Sequence, residues 1–194
     1  MRTITTLSIV AGSALLAGCG LNSVPTAEEA AKAKWAEVHN QYQRRSDLIR
    51  NLVSTVRAAG AQERAILVEV TQARAAANRV QVPATALTDP AQVQAFERAQ
   101  NAVTLSLQRL QEAYPELRSQ GNYSTLMSQL EGTENRIGIA RRDYNDAVQA
   151  YNTTIRTFPD AIGARIFYGA QPMTPFAARA GADVAPTVNF GNGN

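Results

Sequence analysis

Six large side chains, Tyr123, Leu130, Ile137, Tyr144, Tyr151 and Phe158, stand seven residues apart without interruption. Seven residues are just under two turns of α-helix, so the six form one stripe that drifts slowly around the helix axis. Leu126, Val148 and Ile155 widen that stripe. The pattern predicts a helix of about 35 residues, roughly 50 Å long, from about Tyr123 to Phe158. Pro159 is expected to end it.

The rest of the chain supplies partners of the same kind. From about Glu28 to Ala59 the apolar positions Trp35, Val38, Tyr42, Ile49, Leu52, Val56 and Ala59 recur in steps of three and four. Arg45 stands where the series calls for an apolar residue. Thr26, followed three residues later by Glu29, is a candidate capping box that would start this helix near Thr26 or Ala27, and Gly60 is a candidate stop or kink. A second segment, about Ala61 to Val80, carries Ile66, Val70, Ala73, Ala77 and Val80. After a link containing Pro83, Asp89-Pro90 reads as a third helix start, because Asp caps free amides and Pro lacks the amide that would need a partner. Val93, Phe96, Val103, Leu107, Leu110 and Tyr114 mark its buried stripe up to Pro115, and Gly121-Asn122 read as a turn. The expected fold class is all-α: an antiparallel bundle of four long helices over residues 28–158, with a short irregular C-terminal tail. If Gly60 only bends one long helix, three rods result. Residues 159–194 hold Pro159, Pro172, Pro175 and Pro186 and several glycines, and are read as a docked or disordered segment.

Composition excludes several function classes. The chain has 194 residues, 19 Lys+Arg against 16 Asp+Glu, one His, one Cys and 6% aromatics. A ferritin-like di-iron centre needs two Glu-x-x-His segments, and the one histidine, His39, has Ala36 three residues before it. No metal and no cofactor is expected. The net charge of +3 is spread along the chain, and the signatures of single-strand binders and zinc fingers are missing, so nucleic acid is not an expected partner. His39 reads as an ordinary boundary residue, and Arg141-Arg142 beside Asp143 as a solvated face. The sequence contains no Gly-x-Ser-x-Gly elbow, phosphate loop or dinucleotide glycine pattern, and no catalytic residue is assigned.

The first eighteen residues are a separate object. Met1-Arg2 is followed by a mostly apolar, uncharged stretch from Thr3 to Ala17, about 22 Å as a helix and so too short for a bilayer core of roughly 30 Å. It reads as a signal peptide over residues 1–18. Leu16-Ala17-Gly18-Cys19 resembles the lipobox of bacterial lipoproteins, which implies cleavage before Cys19, acylation of that cysteine, and a lipid-anchored tether over residues 19–27. A single cysteine cannot form an internal disulfide, and lipidation would consume its thiol. Gly20, where a retention signal would place Asp, resembles an outer-membrane passenger in hosts that have that membrane. The expected location is the cell envelope, facing the periplasm.

One polar constellation interrupts the apolar stripes. Arg44, Arg45, Asp47 and Asn51 surround the seam of the first helix, and Glu134, Asn135 and Arg136 lie on the last. Asn145 and Asn152, one heptad apart, each follow a stripe tyrosine, so both amides should sit at the core edge and need partners, which Arg45 and Asp47 could supply. The plainest role is fixing helix register; binding or a relay is the second reading.

Arg44-Arg45-Ser46-Asp47-Leu48-Ile49-Arg50-Asn51-Leu52-Val53, Glu63, and Val70-Thr71-Gln72-Ala73-Arg74 resemble the LemA family of bacterial envelope proteins. So do Glu134-Asn135-Arg136-Ile137, Ala140-Arg141, Tyr144-Asn145, Val148, Tyr151-Asn152 and Phe158-Pro159, and the closing Pro175-Phe176 and Pro186-Thr187-Val188-Asn189-Phe190. The resemblance implies four long helices and a membrane-associated location, with no established reaction. Members usually begin with a membrane span, which the lipobox replaces here. Arg50 stands where the family commonly has Pro, removing the cause of a kink in the first helix. The resulting expectation is a non-enzymatic, lipid-anchored envelope scaffold or adaptor that contacts the membrane through Cys19 and an envelope protein or its own copies. The alternative is an accessory lipoprotein that binds a small cell-wall fragment or regulates an envelope enzyme.

Overall fold

A computed structural model describes residues 22–60 and 64–177. Four long helices dominate: α1 (Ser23–Ala58), α2 (Arg64–Arg79), α3 (Pro90–Ala113) and α4 (Gly121–Thr154). A short α5 (Asp160–Gly163) runs directly into a π-helical turn over Ala164–Tyr168, and 3₁₀ turns occupy Ala84–Ala86 and Pro115–Ser119. No strand occurs among the described residues.

Cross-helix bonds fix the helix directions. Lys34 of α1 meets Asp143 of α4, and eleven residues on Arg45 meets Glu134. Between α3 and α4, Glu97 pairs with Arg141 and Gln111 reaches Met127. Numbers rise on one helix as they fall on its neighbour, so α4 runs antiparallel to both α1 and α3. Gly60, at φ 86°, ends α1 in a backbone region that other residues rarely adopt, and its amide closes onto the Arg57 carbonyl. The helices before and after it are therefore separate. Asp89 caps α3 as its sequence suggests, accepting from the Ala91 amide at 2.9 Å with Pro90 in the first turn.

The helices differ in length, and that difference organises the core. At 36 and 34 residues, α1 and α4 run about 50 Å, whereas α2 has 16 and covers less than half of that. One half of the molecule is a true four-helix bundle around Ile49, Leu52, Val56, Val70, Leu107, Leu110 and Leu130. In the other half α2 is absent. Val82 and Leu87 of the link and Met173 and Phe176 of the C-terminal segment take its place over Trp35, Phe96, Tyr144 and Tyr151.

Several boundaries differ from the sequence reading. The first helix begins at Ser23, because Pro25 falls in the first turn, where no amide is needed. Thr26 accordingly caps nothing: its hydroxyl donates to the Asn22 carbonyl, and Glu29 pairs with Lys32. Gly121-Asn122 open α4 rather than forming a turn, since the 3₁₀ turn at Pro115–Ser119 already reverses the chain. The last helix stops at Thr154, and Phe158, the sixth residue of the heptad series, is 82% exposed. The helix tightens where the Arg156 amide bonds the Thr153 carbonyl, so the chain has left the helix, and Phe158 the stripe, before it reaches Pro159. Ala59 is likewise exposed. The other five heptad positions are all buried.

Candidate functional site

Two polar constellations lie in the core, and they are distinct. The first centres on Arg45, which occupies an apolar position of α1 and is only 2% exposed. A buried guanidinium requires partners for its donors, and α3 and α4 supply them. One terminal nitrogen donates to Glu134 Oε1 at 2.7 Å and Thr104 Oγ1 at 3.1 Å; the other donates to Gln100 Oε1 at 2.6 Å and the Gln100 carbonyl at 3.1 Å. The Tyr42 ring lies 4.9 Å from the guanidinium carbon. The site stands where the two halves of the core meet, and it bonds α1 to α3 and α4 at once. The space beside it is about 10 Å³, room for no more than one water.

Gln100 and Thr104 were not anticipated. The signal was present, because the α3 stripe runs Phe96, then Gln100, then Val103, so a polar residue fills an apolar position there just as Arg45 does on α1. On the next flank Ser46 accepts from Asn78 at 3.0 Å and Arg74 at 3.4 Å, which ties α2 to the same level.

The second constellation is a clamp. Asn152 donates to the Met173 carbonyl at 2.9 Å and accepts from the Met173 amide at 2.8 Å; Asn145 does the same for Phe176, at 3.1 and 2.8 Å. Seven helical residues rise about 10.5 Å, and three extended residues span about 10 Å, so a heptad of amides matches a Pro-x-x repeat of tail. The repeat is Pro172-Met173 and Pro175-Phe176. Tyr144 donates to the Thr174 carbonyl at 2.9 Å, and the Thr174 amide bonds the Leu87 carbonyl at 2.8 Å, fastening tail, helix and link together.

Phe176 fills a socket of Trp35, Phe96 and Tyr144, with ring centroids 5.3 to 6.4 Å away. Arg141 lies over its other face at 4.6 Å and pairs with Glu97 at 2.7 Å, while donating to the Ala177 carbonyl at 3.2 Å. Burial pushes the Glu97 carboxyl up against the opposing pull of Arg141, and it raises the Tyr42, Tyr144 and Tyr151 hydroxyls as well. His39 is half-buried, stacked on Phe96 at 5.2 Å with its edge toward Trp35, and burial lowers its pKa.

Three expectations are corrected by this geometry. Asn145 and Asn152 sit at the core edge, but the tail backbone supplies their partners, not Arg45 and Asp47. Asp47 is exposed and bonded to Gln43 and Arg50; Arg44, Asn51, Asn135 and Arg136 are also exposed, so of that group only Arg45 and Glu134 meet. Helix geometry separates them: Asp47 is two residues from Arg45, about 200° around α1. Arg141 is not on a solvated face; Arg142 is, while Asp143 reaches Lys34 on α1.

The family model described as LemA family matches residues 34–190. The chain belongs to the LemA family. A comparison with curated proteins found no match. In this LemA protein the matched span holds the Arg45 centre, both clamp amides and the aromatic socket, whereas Cys19 lies before it and outside the described residues. Among the described residues no group of three His, Cys, Asp or Glu could hold a metal ion, and no helix is long and apolar enough to cross a membrane. The Arg45 guanidinium and the Asn145 and Asn152 amides are all engaged by other parts of the chain, so what they do chemically is hold elements in place, whereas the buried Nε2 of His39 has no hydrogen-bond partner among the described residues.

Proposed function

We propose that this LemA protein is a non-enzymatic scaffold or adaptor of the cell envelope, anchored by lipid on Cys19, facing the periplasm, and organising membrane or protein partners. The observation that carries the reading is the inward engagement of the Arg45 centre and the Asn145/Asn152 clamp. Both convert polar groups into fixed geometry, giving a rod about 50 Å long with its tail held along one side. Rigidity of that kind suits contact, because a preordered surface loses little entropy on binding. The exposed members of the polar group, Arg44, Asp47 and Asn51 on α1 and Asn135 and Arg136 on α4, are the contact points this reading assigns to an envelope protein or a second copy. Outer-membrane attachment follows from Gly20 where the host has that membrane.

The test is in-cell crosslinking from probes on the exposed faces of α1 and α4, read by mass spectrometry. Recovery of one stable envelope protein, or of a second copy, abolished by Arg44→Glu or Arg136→Glu, is the expected result. Saturable binding of a muropeptide with no protein partner would replace the scaffold with the ligand-binding alternative. A mature N-terminal peptide with unmodified Cys19 would remove the lipid anchor.

A further inference from the structure

Large apolar side chains exposed by half or nearly so are few among the described residues, and they are not spread evenly. Val68, Leu105 and Ile139 sit singly on α2, α3 and α4. The other five, Phe158, Ile162, Ile166, Phe167 and Tyr168, fall within eleven residues on α5, the π-helical turn and the loop before them, and Phe158, Ile166 and Phe167 are 82%, 70% and 68% exposed. Chance scatter of exposed apolar groups needs no explanation, but a contiguous cluster does.

Folding has an evident reason to leave these side chains outside. The segment docks through its small face: Ala164 is buried with Val24, Met173 and Tyr151, and Ala161 and Ala164 line a shallow groove with Ile155 and Pro172. Ile162 and Ile166, four apart, must then point away from the bundle. Arg156 and Arg165 flank the cluster, both exposed, and neither makes an ion pair among the described residues. The carboxylates of the nearby first turns of α1, Glu28 and Glu29, are held by Lys32.

Position supplies the remaining argument. Ser23, the first residue of α1, donates to Asp160 Oδ1 at 2.6 Å, so the cluster lies at the bundle end where the chain enters. Cys19 precedes Asn22 by three residues, a reach of at most about 11 Å. We propose that this bundle end is a membrane-surface docking site, in which Phe158, Ile162, Ile166 and Phe167 enter the interfacial region of an anionic bilayer and Arg156 and Arg165 meet its phosphates. The orientation it implies, with the rod standing off the bilayer on its α5 end, rests on the lipid-anchor reading; the affinity of the patch for lipid does not. Aromatic and aliphatic groups bordered by arginines are the composition that interfacial helices use, and a second, weak contact beside an acyl anchor fixes orientation where the anchor alone would leave the rod free to tumble.

The experiment uses the full chain carrying Cys19→Ser, so that a single introduced thiol can bear a nitrobenzoxadiazole probe and no acyl group contributes. One version is labelled through Thr157→Cys, beside the patch, and the other through Ser119→Cys at the opposite end. Each is mixed with vesicles of equimolar phosphatidylglycerol and phosphatidylcholine. The 157 probe should shift to the blue while the 119 probe stays as in buffer, and Phe158→Ser/Ile166→Ser/Phe167→Ser should reduce the shift about tenfold at fixed lipid. Arg156→Glu/Arg165→Glu, which touches only exposed positions and leaves the packing intact, should weaken the shift on anionic vesicles and leave it unchanged on pure phosphatidylcholine. A water-like 157 probe overturns the proposal, whether the protein is bound to vesicles through residues 1–18 or remains free. Acylation is scored separately, from the mass of the wild-type N-terminal peptide, so a failed anchor and a failed patch give different results.

Discussion

Arg45 shows what a single residue contributes here. Taking a guanidinium out of water carries a penalty of several kcal/mol, repaid only when its donors and charge are matched, and Glu134, Gln100 and Thr104 do that from two other helices. Removing the carboxylate while leaving the cation buried should therefore be worse than removing both. Glu134→Ala is expected to destabilise by about 2 kcal/mol, below the range for a fully buried pair because the Glu134 side chain is 30% exposed and water screens it. Adding Arg45→Met should recover most of that loss. Urea unfolding of the four members of this cycle checks it, and strict additivity would mean that the two residues do not act as a pair. His39 makes a different residue-scale prediction. Burial lowers its pKa below the ordinary 6.5, so just under pH 6.5 the unfolded chain holds a proton that the native chain does not. Stability must then fall as pH falls through that window. His39→Phe keeps the stacking on Phe96 and should flatten that slope between pH 7 and 5, measured by the same unfolding; an unchanged slope would assign it to other groups.

At the scale of elements, the helices were legible and their partners much less so. Periodicity identified five of the six heptad positions of α4 because burial on a long helix must repeat with the helix. It missed Phe158 because the helix ends at Thr154, and a stripe carries meaning only as far as the helix that bears it. Arg45 was visible as an interruption on α1, but its answering interruption on α3, Gln100, was not connected to it, since sequence spacing within one helix says nothing of which neighbour it faces. The clamp was half legible: two amides one heptad apart announced a need for partners, and those partners proved to be backbone groups of the tail, which carry no side-chain signature. Pro172 and Pro175, with the family-like Pro175-Phe176 pair, marked the segment without showing which groups it would meet. The clamp gives a prediction at this scale. Each amide makes two hydrogen bonds, worth about 1 kcal/mol apiece, so Asn145→Ala/Asn152→Ala should free the tail locally without unfolding α4. Hydrogen exchange at the Met173 and Phe176 amides should accelerate by at least about tenfold while amides in the middle of α4 stay protected. Protection that survives in the double variant would place the tail's anchorage in the Phe176 socket and the Thr174 hydrogen bonds to Tyr144 and Leu87.

For the whole molecule, the unequal helix lengths mean that one half of the core is completed by α2 and the other by the link and the tail. The two halves share α1, α3 and α4 without a break, and the Arg45 centre bridges them, so they should unfold as one unit. Trp35 is the single tryptophan, 3% exposed, and it belongs to the half that the tail closes, where it stacks on Phe176 at 5.4 Å. Its emission therefore reports on that half, while circular dichroism reports helix throughout. Phe176→Ala removes a buried ring from the Trp35 socket and should lower stability by about 3 kcal/mol through lost transfer energy and the cavity left behind. If the halves are coupled, the fluorescence and dichroism transitions of the variant should shift together to lower urea, because destabilising one half withdraws the support of the continuous helices from the other. Separation of the two curves, with the Trp35 signal lost first and most of the helix retained, would show that the tail-closed half opens independently. The rod would then be rigid only over the span that α2 covers, and Arg45 would mark a boundary between two folding units.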